Sequence, residues 1–227
     1  MLPNTLLGSK NIVMKLKMHS VKVILTDLDG VIRHWNADSI HKKEVENGFE
    51  PGYLYSICFE EKLLLRVITG QISDDEWRNR VQGRLSSLMS DSSAKELVDT
   101  WTNSEVYIDE TIIEIYKKHY PKAKVVLATN ATSRLNQDMK NHGLADMFDG
   151  VLNSSELGIA KPSHSFFTKG MNGLGVGSDE VIFIDDSITN VQSAMQLGIR
   201  SHHYQNHMQL VEFLVETQRM KSSNHSL

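Results

Sequence analysis

The segment Val23-Ile24-Leu25-Thr26-Asp27-Leu28-Asp29-Gly30-Val31 is a short apolar, β-branched run that ends on two carboxylates and a glycine. It is brief and lacks helical periodicity, so it predicts a strand buried on both faces. Two later runs have the same form. Lys124-Val125-Val126-Leu127-Ala128-Thr129-Asn130 ends on a hydroxyl and an amide, and Glu180-Val181-Ile182-Phe183-Ile184-Asp185-Asp186-Ser187 ends on a second acid pair. Helical spacing fills the intervals. One helix is expected to open near Asp109, carry Ile112, Ile113, Ile115 and Tyr116, and stop at Pro121. A second covers residues 133–142 and ends at Gly143. A third, capped by Ser163, carries Phe166, Phe167 and Met171 and closes at Gly173, Gly175 and Gly177. A fourth carries Ile188, Val191, Ala194 and Met195 and stops at Gly198. Short strands are expected at 149–152 and 199–204. Strands alternating with helices predict an α/β, doubly wound parallel sheet. Such sheets bind ligands at the C-terminal ends of their strands, where these runs place their polar residues.

Residues 36–104 break the rhythm. They hold no clear strand, and helices are expected over 53–67, 73–88 and 94–101. Ser73-Asp74-Asp75-Glu76 reads as a capping box, with its acids at the positive end of the helix dipole. The expected organisation is an N-terminal extension over 1–20, a core built from 21–35 and 105–216, a helical insert over 36–104, and a polar tail over 217–227. The extension carries Lys10, Lys15 and Lys17 among short apolar groups, without the uninterrupted apolar stretch of a secretory signal. A frayed extension and a packed edge segment both fit it.

Length and charge narrow the class. The 227 residues are 40% hydrophobic, enough for one domain plus an insert. Net charge is −4 and the pI about 6.2, so no basic excess points to nucleic acid or an anionic membrane. No apolar stretch is long enough to span a bilayer. The single cysteine, Cys58, excludes an intrachain disulfide and suggests a reducing, cytoplasmic setting. Its apolar neighbours make it a packing residue rather than a nucleophile. Trp77 and Trp101 read as core, and His202-His203 as structural, because neighbours on a strand face opposite ways.

The candidate chemistry lies in four motifs. Two close carboxylates repel unless a cation or a shared proton compensates, so Asp27 and Asp29 are candidates for divalent-metal or acid/base chemistry. An Asp-Gly turn beside a solvated acid fits the same residues. Taken singly, Thr129-Asn130 also fits a strand-ending turn, Lys161 before Pro162 a solvated loop cation, and Asp185-Asp186-Ser187 a helix N-cap. In this order, from Asp27 to Asn190, the set resembles the haloacid dehalogenase (HAD) superfamily, most closely its phosphatase-like members with a small α-helical cap. The resemblance covers most of the chain. It implies a Rossmann-like core with the cap inserted at 36–104, and Mg2+-dependent hydrolysis of a phosphate monoester through an aspartyl phosphate.

It also implies residue roles. Asp27 is the nucleophile and a metal ligand. Asp29 is the general acid/base, with its backbone carbonyl on the metal. Thr129, through its hydroxyl, and Asn130, through its backbone, donate to the phosphoryl oxygens, and Lys161 holds nucleophile and phosphate together. Asp186 completes the metal site, and Asp185 and Asn190 orient it directly or through water. The haloacid dehalogenases lack the second acid of the first motif, so Asp29 argues for phosphoryl transfer. Thr26 departs from the aromatic or aliphatic residue usual in the family before the nucleophile. Arg33-His34-Trp35 should lie in the hinge toward the cap. Arg33 is a candidate for reading an anionic substrate group, although hinge packing with a solvated arginine is the favoured reading. The expectation is therefore a phosphatase of a small phosphorylated metabolite, with no nucleic-acid or membrane partner. A phosphomutase of the same fold and a weakly active metabolite-binding or regulatory protein are the alternatives.

Overall fold

The computed structural model describes residues 20–222; residues 1–19 of the expected extension and 223–227 of the expected tail lie outside them. In chain order the elements begin with β1 (Val23–Thr26) and β2 (Arg33–Trp35). Five helices follow: α1 (Asp38–Glu46), α2 (Tyr53–Cys58), α3 (Glu61–Ile68), α4 (Asp74–Ser86) and α5 (Asp91–Thr102). Then come β3 (Val106–Ile108), α6 (Thr111–His119), β4 (Lys124–Thr129), α7 (Leu135–Asn141), β5 (Gly150–Asn153) and α8 (Ser154–Leu157). The chain closes with α9 (His164–Leu174), β6 (Val181–Asp185), α10 (Ile188–Gln196), β7 (Arg200–His203) and α11 (His207–Ser222).

The sheet has five parallel strands in the order β5-β4-β1-β6-β7, a doubly wound α/β architecture as expected. The period of two explains why its strands are apolar throughout. Ile24, Val125, Leu127, Ile182 and Ile184 pack on one face with Ile112, Tyr116 and Leu210. Val23, Leu25, Val126, Val181 and Phe183 pack on the other with Phe166, Phe167 and Ala194. Register sets the site. Thr26 pairs with Leu127 and with Ile184, so the chain leaves β1, β4 and β6 at one edge, and Asp27, Thr129 and Asp185 come together there.

Helices α1–α5 bury their own cluster, which includes Ile40, Leu54, Cys58, Leu63, Val81, Leu97 and Trp101. An antiparallel ribbon of β2 and β3 joins this helical unit to the sheet. Two contacts tie the far side of the unit down: Thr132 Oγ1 donates to Asp74 Oδ1 at 2.8 Å, and the Asp74 N–H donates to Ser133 Oγ at 3.0 Å.

Several expectations need correction. The helix expected over 53–67 is two helices, because the Glu60 carboxylate accepts from the Lys62 and Leu63 N–H groups and starts a new one. Helix α1 was not anticipated, and α5 begins at Asp91 because Ser90 caps it. The capping box is half made. Ser73 Oγ accepts from the Glu76 N–H at 3.1 Å, while the Glu76 carboxylate pairs with Arg80. Gly173 lies inside α9, which ends at Gly175 in the left-handed region. The expected tail is helical through Ser222, with Thr217 buried. Among the described residues no helix is long and apolar enough to cross a membrane.

Candidate active site

Asp27 leaves β1 with its N–H donating to the Ile184 carbonyl at 2.9 Å, which locks it beside β6. Its Oδ1 accepts from the Leu28 N–H at 2.8 Å and lies 3.0 Å from Lys161 Nζ. Lys161 is the centre of the arrangement. Its side chain is fully buried, and Nζ also donates to Asp185 Oδ2 at 2.6 Å. It is therefore not a solvated loop cation. The Asn130 side chain holds its backbone in a two-way clamp: Oδ1 accepts from the Lys161 N–H and Nδ2 donates to the Lys161 carbonyl, both at 2.9 Å. Thr129 is buried at the end of β4, adjacent to that clamp.

Asp185 is completely buried. Asn190 Nδ2 donates to both of its oxygens, at 3.0 and 3.1 Å, and the Ser187 N–H donates to Oδ1 at 2.8 Å. Asp186 is exposed and faces the Asp29-Gly30 turn. Gly30 has φ +81°, and a Cβ there would sit 2.2 Å from Asp186 Oδ2. Only glycine permits both that backbone conformation and that approach.

Burial opposes the charge of Asp27 and pushes its carboxyl up to about 7, with Asp185 adding to the effect and Lys161 opposing it. Burial alone would lower Lys161, but the two carboxylates outweigh it and raise it. Asp186 is exposed at its rim but partly desolvated by its neighbours, and this desolvation, with Asp185 adding to it, raises its carboxyl. This acid excess calls for a cation. Asp27, Asp185 and Asp186 each offer an oxygen within 4.8 Å of the others. An all-carboxylate set of hard donors fits Mg2+. The Asp29 side chain is not among them.

Asp29 is held elsewhere. Arg33 Nε and Nη2 donate to its two oxygens at 2.7 and 2.9 Å, and Trp35 Nε1 donates to Oδ1 at 2.7 Å. The guanidinium lies 4.6 Å from the Trp35 ring centroid. Arg33 is thus buried and committed to Asp29, contrary to the solvated arginine favoured above. The spacing of Asp29 and Arg33 was the available signal, but the grip also needs β2 to pair with β3. Thr26, the departure in the first motif, is buried with its hydroxyl 3.0 Å from Tyr116 Oη, so a small polar residue completes a hydrogen bond under the nucleophile strand.

Comparisons with known proteins bear on the family and the fold. The sequence pattern of the family described as haloacid dehalogenase-like hydrolase matches residues 24–203. Drimenol cyclase of Aspergillus calidoustus is 25% identical over 192 residues, 80% of this chain and 33% of that protein. Glyceraldehyde 3-phosphate phosphatase of Methanocaldococcus jannaschii is 31% identical over 58 residues, 25% of this chain and 25% of that protein. The chain therefore matches a third or less of the length of these curated relatives. Among solved structures, a HAD-family enzyme of Bacteroides thetaiotaomicron in complex with magnesium and inorganic phosphate has a TM-score of 0.65 at 21% identity, covering 82% of this chain and 95% of that one. L-2-haloacid dehalogenase of Xanthobacter autotrophicus has a TM-score of 0.57 at 20% identity, covering 86% and 83%. These two share the fold.

Proposed function

The chain belongs to the haloacid dehalogenase-like hydrolases, and we propose that it is a Mg2+-dependent phosphatase that hydrolyses a small organic phosphate monoester through a phosphoryl group carried on Asp27. The observation that carries this reading is the second acid, Asp29, gripped by Arg33 and Trp35 in the wall of a partly open cavity. Phosphoryl transfer to a carboxylate needs a proton for the leaving alkoxide and then a base for water. Displacement of halide needs no such proton.

Asp27 attacks phosphorus, the phosphorus–oxygen bond to the alcohol breaks, and Asp29 gives its proton to the departing oxygen. Water then attacks the same phosphorus, Asp29 takes the water's proton, the bond to Asp27 breaks, and phosphate leaves. Arg33 and Trp35 fix the position and orientation of the Asp29 carboxyl for both proton transfers. Lys161 draws Asp27 and the phosphoryl oxygens together, and Thr129 and the Asn130 backbone donate to those oxygens. Asp27, Asp186 and the Asp29 backbone carbonyl would hold the metal, and Asp185, committed to Lys161 and Asn190, would orient them. Bound Mg2+ supplies charge neutralisation for phosphoryl group and carboxylates together. Phosphate release from a panel of monoesters tests the reading. Activity is expected with Mg2+, and should fall to background in EDTA and return on adding the metal. Undiminished activity after rigorous chelation contradicts it.

A further inference from the structure

A cavity of about 420 Å³ lies between the strand ends and the helical unit, within the range of small-molecule sites. Asp29 and Asn130 line it on the side of the acids. The helical unit contributes Tyr55, Phe59, Leu64, Ile68, Trp77 and Trp101. From this lining we infer, resting on the phosphatase reading, that the alcohol half of the substrate is uncharged and apolar: the protein hydrolyses an alkyl or aryl phosphate rather than a sugar phosphate or a nucleotide.

The charges in the cavity carry the argument as much as its rings. Each arginine in the wall is already matched. Arg33 is taken by Asp29. Arg78 donates to Asp74 at 2.6 Å and to Thr102 at 2.8 Å, with its guanidinium 4.3 Å from the Trp101 ring centroid. Asp138 accepts from Arg134 at 2.8 Å. A ligand bearing a second anion would have to break one of these partly buried pairs, which leaves a charge uncompensated. On the side of the helical unit a sugar would set several hydroxyls against the side chains of Phe59, Leu64 and Ile68, which offer them no partner. An apolar group meets neither obstacle and gains from leaving water. Arg33 Nη1 is itself buried and lies 3.8 Å from Asp138 Oδ2, an ion pair that completes the matching of charges in the wall.

The test is kcat/KM for n-alkyl phosphates from ethyl to octyl, with p-nitrophenyl phosphate, glucose 6-phosphate and AMP alongside. We expect kcat/KM to rise roughly fourfold per methylene, the factor that burying one CH2 contributes, until the cavity fills. Glucose 6-phosphate and AMP should fall below the short alkyl esters. Leu64→Gln or Ile68→Gln, checked for folding by circular dichroism, should flatten the rise. A flat alkyl series, preference for the sugar phosphate or nucleotide, or an unaltered rise in both folded variants would overturn the inference while leaving the phosphatase reading intact. No phosphate release from any ester, the nitrophenyl ester included, overturns that reading and this inference with it.

Discussion

Asp29 is held outside the cluster around Lys161, by two hydrogen bonds from Arg33 and one from Trp35. If it moves the protons, Asp29→Asn should lower kcat on alkyl phosphates by about 10²–10⁴-fold. The loss in phosphoryl transfer should be smaller for aryl phosphates, whose leaving groups need less protonation. Equal losses on both, together with loss of Mg2+ binding, would make Asp29 a side-chain metal ligand instead. Cys58 tests the packing of the helical unit. It is fully buried, and burial pushes its thiol up to about 12, so at pH 8 it stays protonated. It should resist Ellman's reagent in the native protein and react once per chain in denaturant. Rapid labelling of the folded protein would show that the helices do not close over it. The acids, Thr129 and Lys161 were legible as residues because they end apolar runs or break a loop. The Arg33 grip and the Asn130 clamp on Lys161 were not, because each depends on a partner brought close by the fold rather than on composition nearby.

Among the elements, the sheet strands were legible and the helical unit less so. Each long apolar run had to be buried on both faces, which leaves few alternatives to a central strand. The unit's helices are short, and their ends are set by caps rather than by periodicity. Apolar spacing runs on through Leu54, Cys58 and Leu63, so it concealed the break that Glu60 makes. Helix α1 buries Ile40 and Glu44, too little apolar signal for a period to register. The three-residue strands β2 and β3 exist only as partners of each other, about seventy residues apart. Glu44 shows how such a unit is fixed. Fully buried, it accepts from the Gly52 N–H at 2.7 Å and the Leu54 N–H at 2.6 Å, and so supplies the start of α2. Glu44→Ala leaves those donors without a partner and should cost roughly 2–4 kcal/mol, read as a lower urea midpoint. An unchanged midpoint would mean that the start of α2 does not depend on this carboxylate. Gly70 marks the other contact of the unit: at φ +70°, a Cβ would lie 2.2 Å from the Ser155 carbonyl, so the turn before α4 fits against α8 only as glycine.

For the whole molecule, function follows from bringing two unlike surfaces together. The strand ends gather acids around one buried lysine, and the helical unit sets an apolar wall opposite them. The first surface was legible in the sequence because one parallel register aligns the ends of three runs. The second was not, because the wall combines residues from four helices whose facing sides are decided only when the unit folds onto the sheet. The central claim is that Asp27 carries the phosphoryl group. Acid quench during turnover of a good alkyl or aryl phosphate, followed by borohydride reduction and peptide mass spectrometry, tests it most directly. The account predicts reduction of the acyl phosphate at Asp27 to homoserine, absent without substrate and absent in Asp27→Asn. Steady release of phosphate with Asp27 unmodified at every quench time, or with the label on another residue, would contradict it.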